Sequence, residues 1–253
     1  MSNSKLTSEI SSFICKLRFL QVLDLSNNSL SGSTPLCLRN FSNMLSVLHL
    51  GINNLQDTIP STFSKDNSLK YLNLNGNELE GKIPTSIINC TMLEVIDLGN
   101  NKIEDTFPYF LETLPKLQIL VLKSNKLQGF VKGPTAYNSF SKLQIFDISD
   151  NNFNRPLPTG YFNSLALEAL TFLAILSVSR NQLEGLIPSG EQFNTFNASS
   201  FEGNLGLCGF QVLKECYCDE APSLQPSSVN ERDDSTLVGD GFGWKAVTIR
   251  YGC

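Results

Sequence analysis

The sequence predicts an α/β solenoid, a right-handed horseshoe of about seven coils with a parallel concave β-sheet. Three observations predict it. The stretch Leu69 to Pro84, LKYLNLNGNELEGKIP, recurs in variants along most of the 253 residues. Its turn asparagines, Asn28, Asn53, Asn77, Asn101, Asn125, Asn151 and Asn181, follow one another at spacings of 25, 24, 24, 24, 26 and 30. An alternating apolar pair precedes each: Leu23/Leu25, Leu48/Leu50, Leu72/Leu74, Ile96/Leu98, Leu120/Leu122, Phe146/Ile148 and Leu176/Val178. Alternation at period two marks a half-buried strand. One such unit cannot bury its own apolar edge, whereas stacked copies can.

Within the unit each residue type has a task. The turn asparagine carries donors and an acceptor for the backbone of its own and the adjacent coil, so it belongs to a buried ladder. Leu79 returns to the core, Gly81 supplies a permissive backbone and Pro84 directs the chain away. Losing Asn77 is therefore expected to be costly. Replacing Asn73, read as pointing outward, is expected to cost little.

The 24-residue unit with L-x-G-x-I-P, seen in Leu79–Pro84 and again in LEGLIP from Leu183 to Pro188, resembles the plant-type leucine-rich repeat, which places a second short strand there. NCTMLEVIDLGNNKIEDTFPYFLETLPKLQILVLKSNKLQG, GEQFNTF, SFEGNLGLCG and GFGWKAVTIRYGC are similar to plant receptor-like proteins of the disease-resistance class. The resemblance implies a cell-surface ectodomain without a kinase, a peptide or protein ligand of pathogen origin, and a co-receptor kinase. It also implies a capping disulfide between Cys208 and Cys216. Members of that family begin with a signal and a cap and end with a membrane span. Here SNSKLTSEISSF after Met1 holds no apolar run, and no stretch of about 18 apolar residues occurs. The expectation is a fragment of such a receptor, unable to reach or anchor at the cell surface by itself.

In chain order, residues 1–16 are read as the remnant of a preceding repeat, short and helical in tendency. The edge formed by Leu20, Leu23 and Leu25 is expected to face water and to invite association. Repeats fill 17–188. Cys90 takes a position held elsewhere by Leu17, Leu114 and Leu170, which predicts a buried, inert thiol. Extra residues near Val131-Lys132-Gly133-Pro134 predict a surface bulge. YFNSLALEAL favours a helix on the convex side, where the resemblance implies that a non-repeat island and several repeats are deleted. Residues 189–218 read as the C-terminal cap and 219–241 as an acidic Pro/Ser linker. Residues 242–253, with Trp244 and Tyr251, are similar to a juxtamembrane lead-in.

Composition narrows the function. A 41% hydrophobic and 17% charged chain is ordinary for a globular protein. Residues 219–240 hold six carboxylates against Arg232, matching the whole net charge of −5, so the repeats are close to neutral and no nucleic-acid partner is indicated. His49 is the only histidine, and no P-loop, HExxH, paired-cysteine zinc spacing or kinase motif accompanies it. No cofactor and no enzymatic activity are expected.

The outward positions of the sheet are then the candidate ligand-binding residues. They are Val22, Val47, Tyr71, Val95, Ile119 and Ile145 in an apolar column, with Ile175 completing it. Asp24, His49, Asn73, Asp97, Val121 and Asp147 form a polar one that ends at Ser177. Lys123 stands in a third. β-propensity alone also explains the apolar column. Four sequons, at Asn27, Asn40, Asn89 and Asn197, would carry glycans in the secretory pathway. A soluble inhibitor of pathogen cell-wall enzymes and a non-functional gene remnant are the alternatives to a receptor ectodomain.

Overall fold

The computed structural model describes residues 2–35, 44–65, 67–131, 139–157, 173–189 and 193–216. The chain divides into two units, Met1–Glu215 and Cys216–Cys253, and the architecture below belongs to the first. Asn40, Cys37, the bulge at 132–134, the helix expected at YFNSLALEAL, Cys218, the acidic linker and the 242–253 end all lie outside the described residues.

Seven strands stack in one parallel sheet in chain order: Val22–Asp24, Val47–His49, Tyr71–Asn73, Val95–Asp97, Ile119–Val121, Ile145–Asp147 and Ile175–Ser177. Each begins one residue before the apolar pair and stops short of its second member. That second member still bonds across the stack, as when Leu25 N–H donates to His49 O at 2.9 Å. Leu50, Leu72, Leu74, Ile96, Leu98, Leu120 and Leu122 are sealed from solvent. Full burial of such side chains contributes roughly 1.5–3 kcal/mol each. Phe146 is the inward residue that stays partly exposed, its ring edge-on to Phe107 at 6.0 Å.

The L-x-G-x-I-P segment forms its second strand in every coil. Ser29–Ser33, Asn54–Gln56, Glu80–Gly81, Lys102–Ile103, Gln128–Gly129, Asn152–Pro156 and Gln182–Leu186 pair in parallel groups. Bridges at Thr58–Glu80 and Thr106–Gln128 link successive groups. The far side turns through 3₁₀ helices such as Thr85–Asn89 and Tyr109–Thr113, and no α-helix occurs among the described residues. The expected solenoid stands, with its helical side made of 3₁₀ turns. A coil of about 24 residues that spends its length on two strands and two turns leaves room for one tight helical turn, which Pro84 opens and Ile87 anchors in the core. Cys90 is buried and free, its thiol pushed up to about 11 by that burial, in line with an inert core residue. Leu17, at the matching position of the first coil, is exposed instead.

The ladder is the densest polar feature. Asn77 Nδ2 donates to Leu74 O and to Leu50 O of the preceding coil, both at 3.0 Å, and its Oδ1 accepts Leu55 N–H at 3.0 Å. Asn53, Asn101, Asn125, Asn151 and Asn181 repeat this arrangement. Asn204 extends it into the segment read as a cap, accepting from Leu183 N–H and donating to Val178 O. The residue before each ladder asparagine is left-handed: Asn27, Ile52, Gly76, Asn100, Ser124, Asp150, Arg180 and Gly203 all have φ between 51° and 74°. Only a backbone turned this way brings the asparagine amide under its own coil.

The first coil is better protected than its sequence implied. Leu23 and Leu25 are 6% and 7% exposed, which corrects the expectation that they face water. Thr7–Glu9 pairs with Ser29–Ser31, Asn3 N–H donates to Ser26 O, and Ser4 and Leu6 N–H groups donate to Asn28 Oδ1. Ile10 is buried, while Leu6, Ile14 and Leu20 pack against the core. Residues 2–16 thus do for the first coil what each coil does for the next. Phe13 and Phe19 remain exposed there.

Two stability predictions follow from the ladder. Asn77→Ala strips partners from three buried backbone groups and is expected to lower stability by about 1–3 kcal/mol, whereas Glu78→Ala removes only a surface ion pair to Lys102 and should leave the melt nearly unchanged. Equal losses in denaturant melts would refute the ladder's role. Ile52 is β-branched at φ 58° and largely exposed, so Ile52→Asn should stabilise by about 1 kcal/mol, because asparagine tolerates this conformation. An unchanged or lowered melting temperature would contradict that account.

Candidate functional site

Strand register brings the outward residues into straight columns. Val22, Val47, Tyr71, Val95, Ile119, Ile145 and Ile175 are consecutive Cα partners, and so are Asp24, His49, Asn73, Asp97, Val121, Asp147 and Ser177. Val22 and Ile175, at the two ends, are about half exposed, while the apolar residues between them are half-buried by lateral neighbours. Asp24, His49, Asp97, Val121, Lys123 and Asp147 are half-buried as well.

The polar column does structural work that the spacing did not reveal. Asp24, Asn73, Asp97 and Asp147 each accept, through Oδ1, the backbone N–H two residues on, at 3.0 Å. This bond starts the turn that ends the strand. Ser26 and Ser149 hydroxyls add bonds of 2.7 and 2.6 Å to the same oxygens, which is why both serines are buried. The Asp-x-Ser pattern of Asp24-Leu25-Ser26 and Asp147-Ile148-Ser149 was the available signal.

Around the third and fourth strands the column becomes a network. Asn73 Nδ2 donates to the Tyr71 hydroxyl at 3.2 Å and to Asp97 Oδ2 at 3.3 Å, and Asn75 Nδ2 donates to Asp97 Oδ1 at 3.1 Å. Asn100 Nδ2 reaches Asn75 Oδ1 at 3.4 Å. Gly51 makes the space: a Cβ there would lie 2.7 Å from Asn73 Oδ1. Asn73 is consequently buried, and the expectation that it can be replaced at little cost is corrected. His49 approaches Asp24 Oδ1 at 3.6 Å and meets the Tyr71 ring edge-on at 5.8 Å. The outward face therefore offers fixed amide and carboxylate groups beside an apolar strip, with aromatic Tyr71 at their junction.

Nothing in this arrangement places a nucleophile against His49. Among the described residues no group of three or more His, Cys, Asp or Glu is positioned to hold a metal, and no helix is long and apolar enough to cross a membrane. Of the sequons, Asn27 and Asn197 are exposed and Asn89 is half-buried. Cys15, Cys208 and Cys216 are each disulfide-bonded.

Comparison with known proteins agrees with this geometry. A leucine rich repeat family model matches residues 43–103 and 91–153, and a second leucine rich repeat model matches 19–41. Together they span more than half of the chain. Receptor-like protein 32 of Arabidopsis thaliana is 47% identical over 64 residues, which are 25% of this chain and 7% of that protein. The chain thus aligns with a small part of the length of the curated relatives it matches. Among solved structures, the Arabidopsis receptor kinase HAESA, in complex with the peptide hormone IDA and the co-receptor SERK1, superposes with a TM-score of 0.71 at 30% identity. It covers 82% of this chain and 33% of its own. A plant ice-binding protein gives a TM-score of 0.62 at 28% identity, covering 85% of this chain and 73% of its own. The same scaffold thus serves unlike ligands, and the residues of the face must decide between them.

The Asp24 carboxyl is held below its ordinary value of 3.8, first by the Ser26 hydroxyl and then, against the opposing effect of burial, by the Ser26 N–H and His49. A depressed folded-state value stabilises the fold above 3.8, and that contribution is lost as pH falls through the lowered value. Ser26→Ala should move the Asp24 titration back up toward 3.8, followed by NMR of its carboxyl carbon. A titration that does not move would show that the hydroxyl is not the cause.

Proposed function

The chain belongs to the leucine-rich-repeat family, and we propose that it is the non-catalytic recognition module of a plant cell-surface receptor-like protein acting in defence. It takes a peptide or protein ligand across the outward face of the seven-stranded sheet. The observation that carries this reading is the pairing of a continuous apolar column with a hydrogen-bonded polar column in strict register. An extended peptide laid across the strands would set apolar side chains on Val47, Tyr71, Val95 and Ile119. Its backbone amides would reach the carboxylates of Asp97 and Asp147. The groups are already held by their turns, so little ordering cost accompanies binding.

In this reading the ectodomain faces the cell exterior, Cys208 and Cys216 close the cap on one another, and a co-receptor kinase completes the signalling unit. HAESA, with its peptide hormone and co-receptor, supports the mode of binding rather than the identity of the ligand.

The test uses the whole chain, secreted behind an added signal peptide and panned against a random linear peptide library. Peptides enriched on it should lose about tenfold or more in affinity for a Tyr71→Ala/Val95→Ser variant that keeps its melting temperature. They should bind Tyr109→Ala, altered at an exposed position on the helical side, as before. No enrichment, or peptides indifferent to the strand substitutions, would sink the proposal.

A further inference from the structure

The turn after each strand of the large sheet passes through a left-handed residue, and in the second coil that residue is isoleucine. Ile52 stands at φ 58°, the one β-branched residue with positive φ among the described residues. The next three coils carry Gly76, Asn100 and Ser124 at this point. A branched Cβ here crowds the following carbonyl, so the position is strained. Burial does not offset the strain, because Ile52 is 58% exposed. Its backbone is held in the stack, with Ile52 N–H donating to Asn75 O at 2.7 Å and Asn28 N–H donating to Ile52 O at 3.1 Å. Any residue but proline would make those bonds, so they do not account for an aliphatic side chain.

The surroundings of Ile52 join it to the outward face. A Cβ on Gly51, the residue before it, would lie 3.2 Å from His49 Nε2, so the imidazole lies against Gly51. His49 in turn meets the Tyr71 ring edge-on at 5.8 Å. On the following coil Gly76 presents backbone alone, and a Cβ there would sit 3.5 Å from Ile52 Cα and Cγ1. Tyr71, His49 and Ile52 therefore mark a path from the apolar column to the rim, and neither Gly51 nor Gly76 raises a side chain beside its end.

We propose that Ile52 is a specificity-determining contact of the outward face, selecting peptides that carry an apolar side chain beyond the segment lying on Tyr71. The inference rests on the recognition reading above and deepens it. The end of the ligand over Val47 turns past His49 and sets an aliphatic or aromatic side chain on Ile52 at the rim. Strain that neither burial nor hydrogen bonding offsets within the chain is offset by that contact, as at other sites where a sparsely populated backbone conformation serves a partner. The bare backbone of Gly76 lets the ligand come close beside it. A ligand with a polar or charged residue at this point loses water from it on Ile52 without gaining a hydrogen bond, and is disfavoured.

The test takes the peptides enriched on the whole secreted chain and measures their affinity for Ile52→Asn and Ile52→Leu, with the melting temperature of each variant. Ile52→Asn should melt higher than the parent yet bind about tenfold more weakly, a split that damage to the fold cannot produce. Ile52→Leu, still apolar, should bind as the parent does. An alanine scan of the tightest peptide should find one apolar residue whose loss weakens binding to the parent but adds little to the loss already caused by Ile52→Asn. Ile52→Asn binding as the parent does, or melting lower than it, would overturn this inference alone while the Tyr71→Ala/Val95→Ser effect stands. So would a loss shared by Ile52→Leu, or a peptide scan with no residue coupled to position 52. No enrichment, or peptides indifferent to the strand substitutions, would sink the recognition reading and this inference together.

Discussion

Everything in this fold depends on one amide. The ladder asparagine sits where two coils meet, and its Nδ2 and Oδ1 satisfy backbone groups from both. Those groups lie in a sealed interior, where an unmade hydrogen bond costs more than a made one contributes. The amide therefore fixes the distance and rotation between coils, and the leucine columns fall into register behind it. The left-handed residue before each asparagine serves the same end. Its φ turns the chain so that a side chain of one rotamer can reach four backbone partners. Leucines supply most of the driving force; the asparagines determine which stacking they drive.

The candidate binding face inherits its order from this stacking. Because coils repeat in strict register, a residue type chosen at one outward position becomes a stripe when chosen again in the next coil. The carboxylates of Asp24, Asp97 and Asp147 hold their own turns through one oxygen, and all three residues stay half-buried rather than sealed. Structure and recognition are thus not separable along that column. A carboxylate can hold a turn and still take a donor from outside, whereas the apolar column beside it is free to vary in size and shape. Variation among coils at Val47, Tyr71, Val95 and Ile119 is the means by which this scaffold would discriminate ligands.

Much of this was legible beforehand, for a physical reason. The ladder and the leucine pairs obey a period, and a period survives reading one residue at a time. The strand register and both outward columns followed from it. What escaped were features that depend on a neighbour in space. Asn73 reads as an exposed strand residue until Gly51, a coil earlier, is seen to leave room for its amide. Leu23 and Leu25 read as an open edge because Ser4 has replaced the asparagine of residues 2–16, although the backbone there still supplies the expected bonds. Asn204 could have been found, since it follows Asn181 by 23 residues, but no strand pair precedes it to announce another coil. The 3₁₀ turns were hidden by their shortness.

The ladder bonds that cross from coil to coil all lean one way. Asn53 serves Leu25 O and Leu30 N–H of the coil before it, Asn77 serves Leu50 O and Leu55 N–H, and so on to Asn204. Each coil is completed by the one synthesised after it. A chain leaving the ribosome therefore carries a single unfinished coil at its growing end, as a filament carries one live tip, and every newly emerged asparagine moves that tip forward by one turn. Assembly has a direction built into its side chains, and it is the direction of translation.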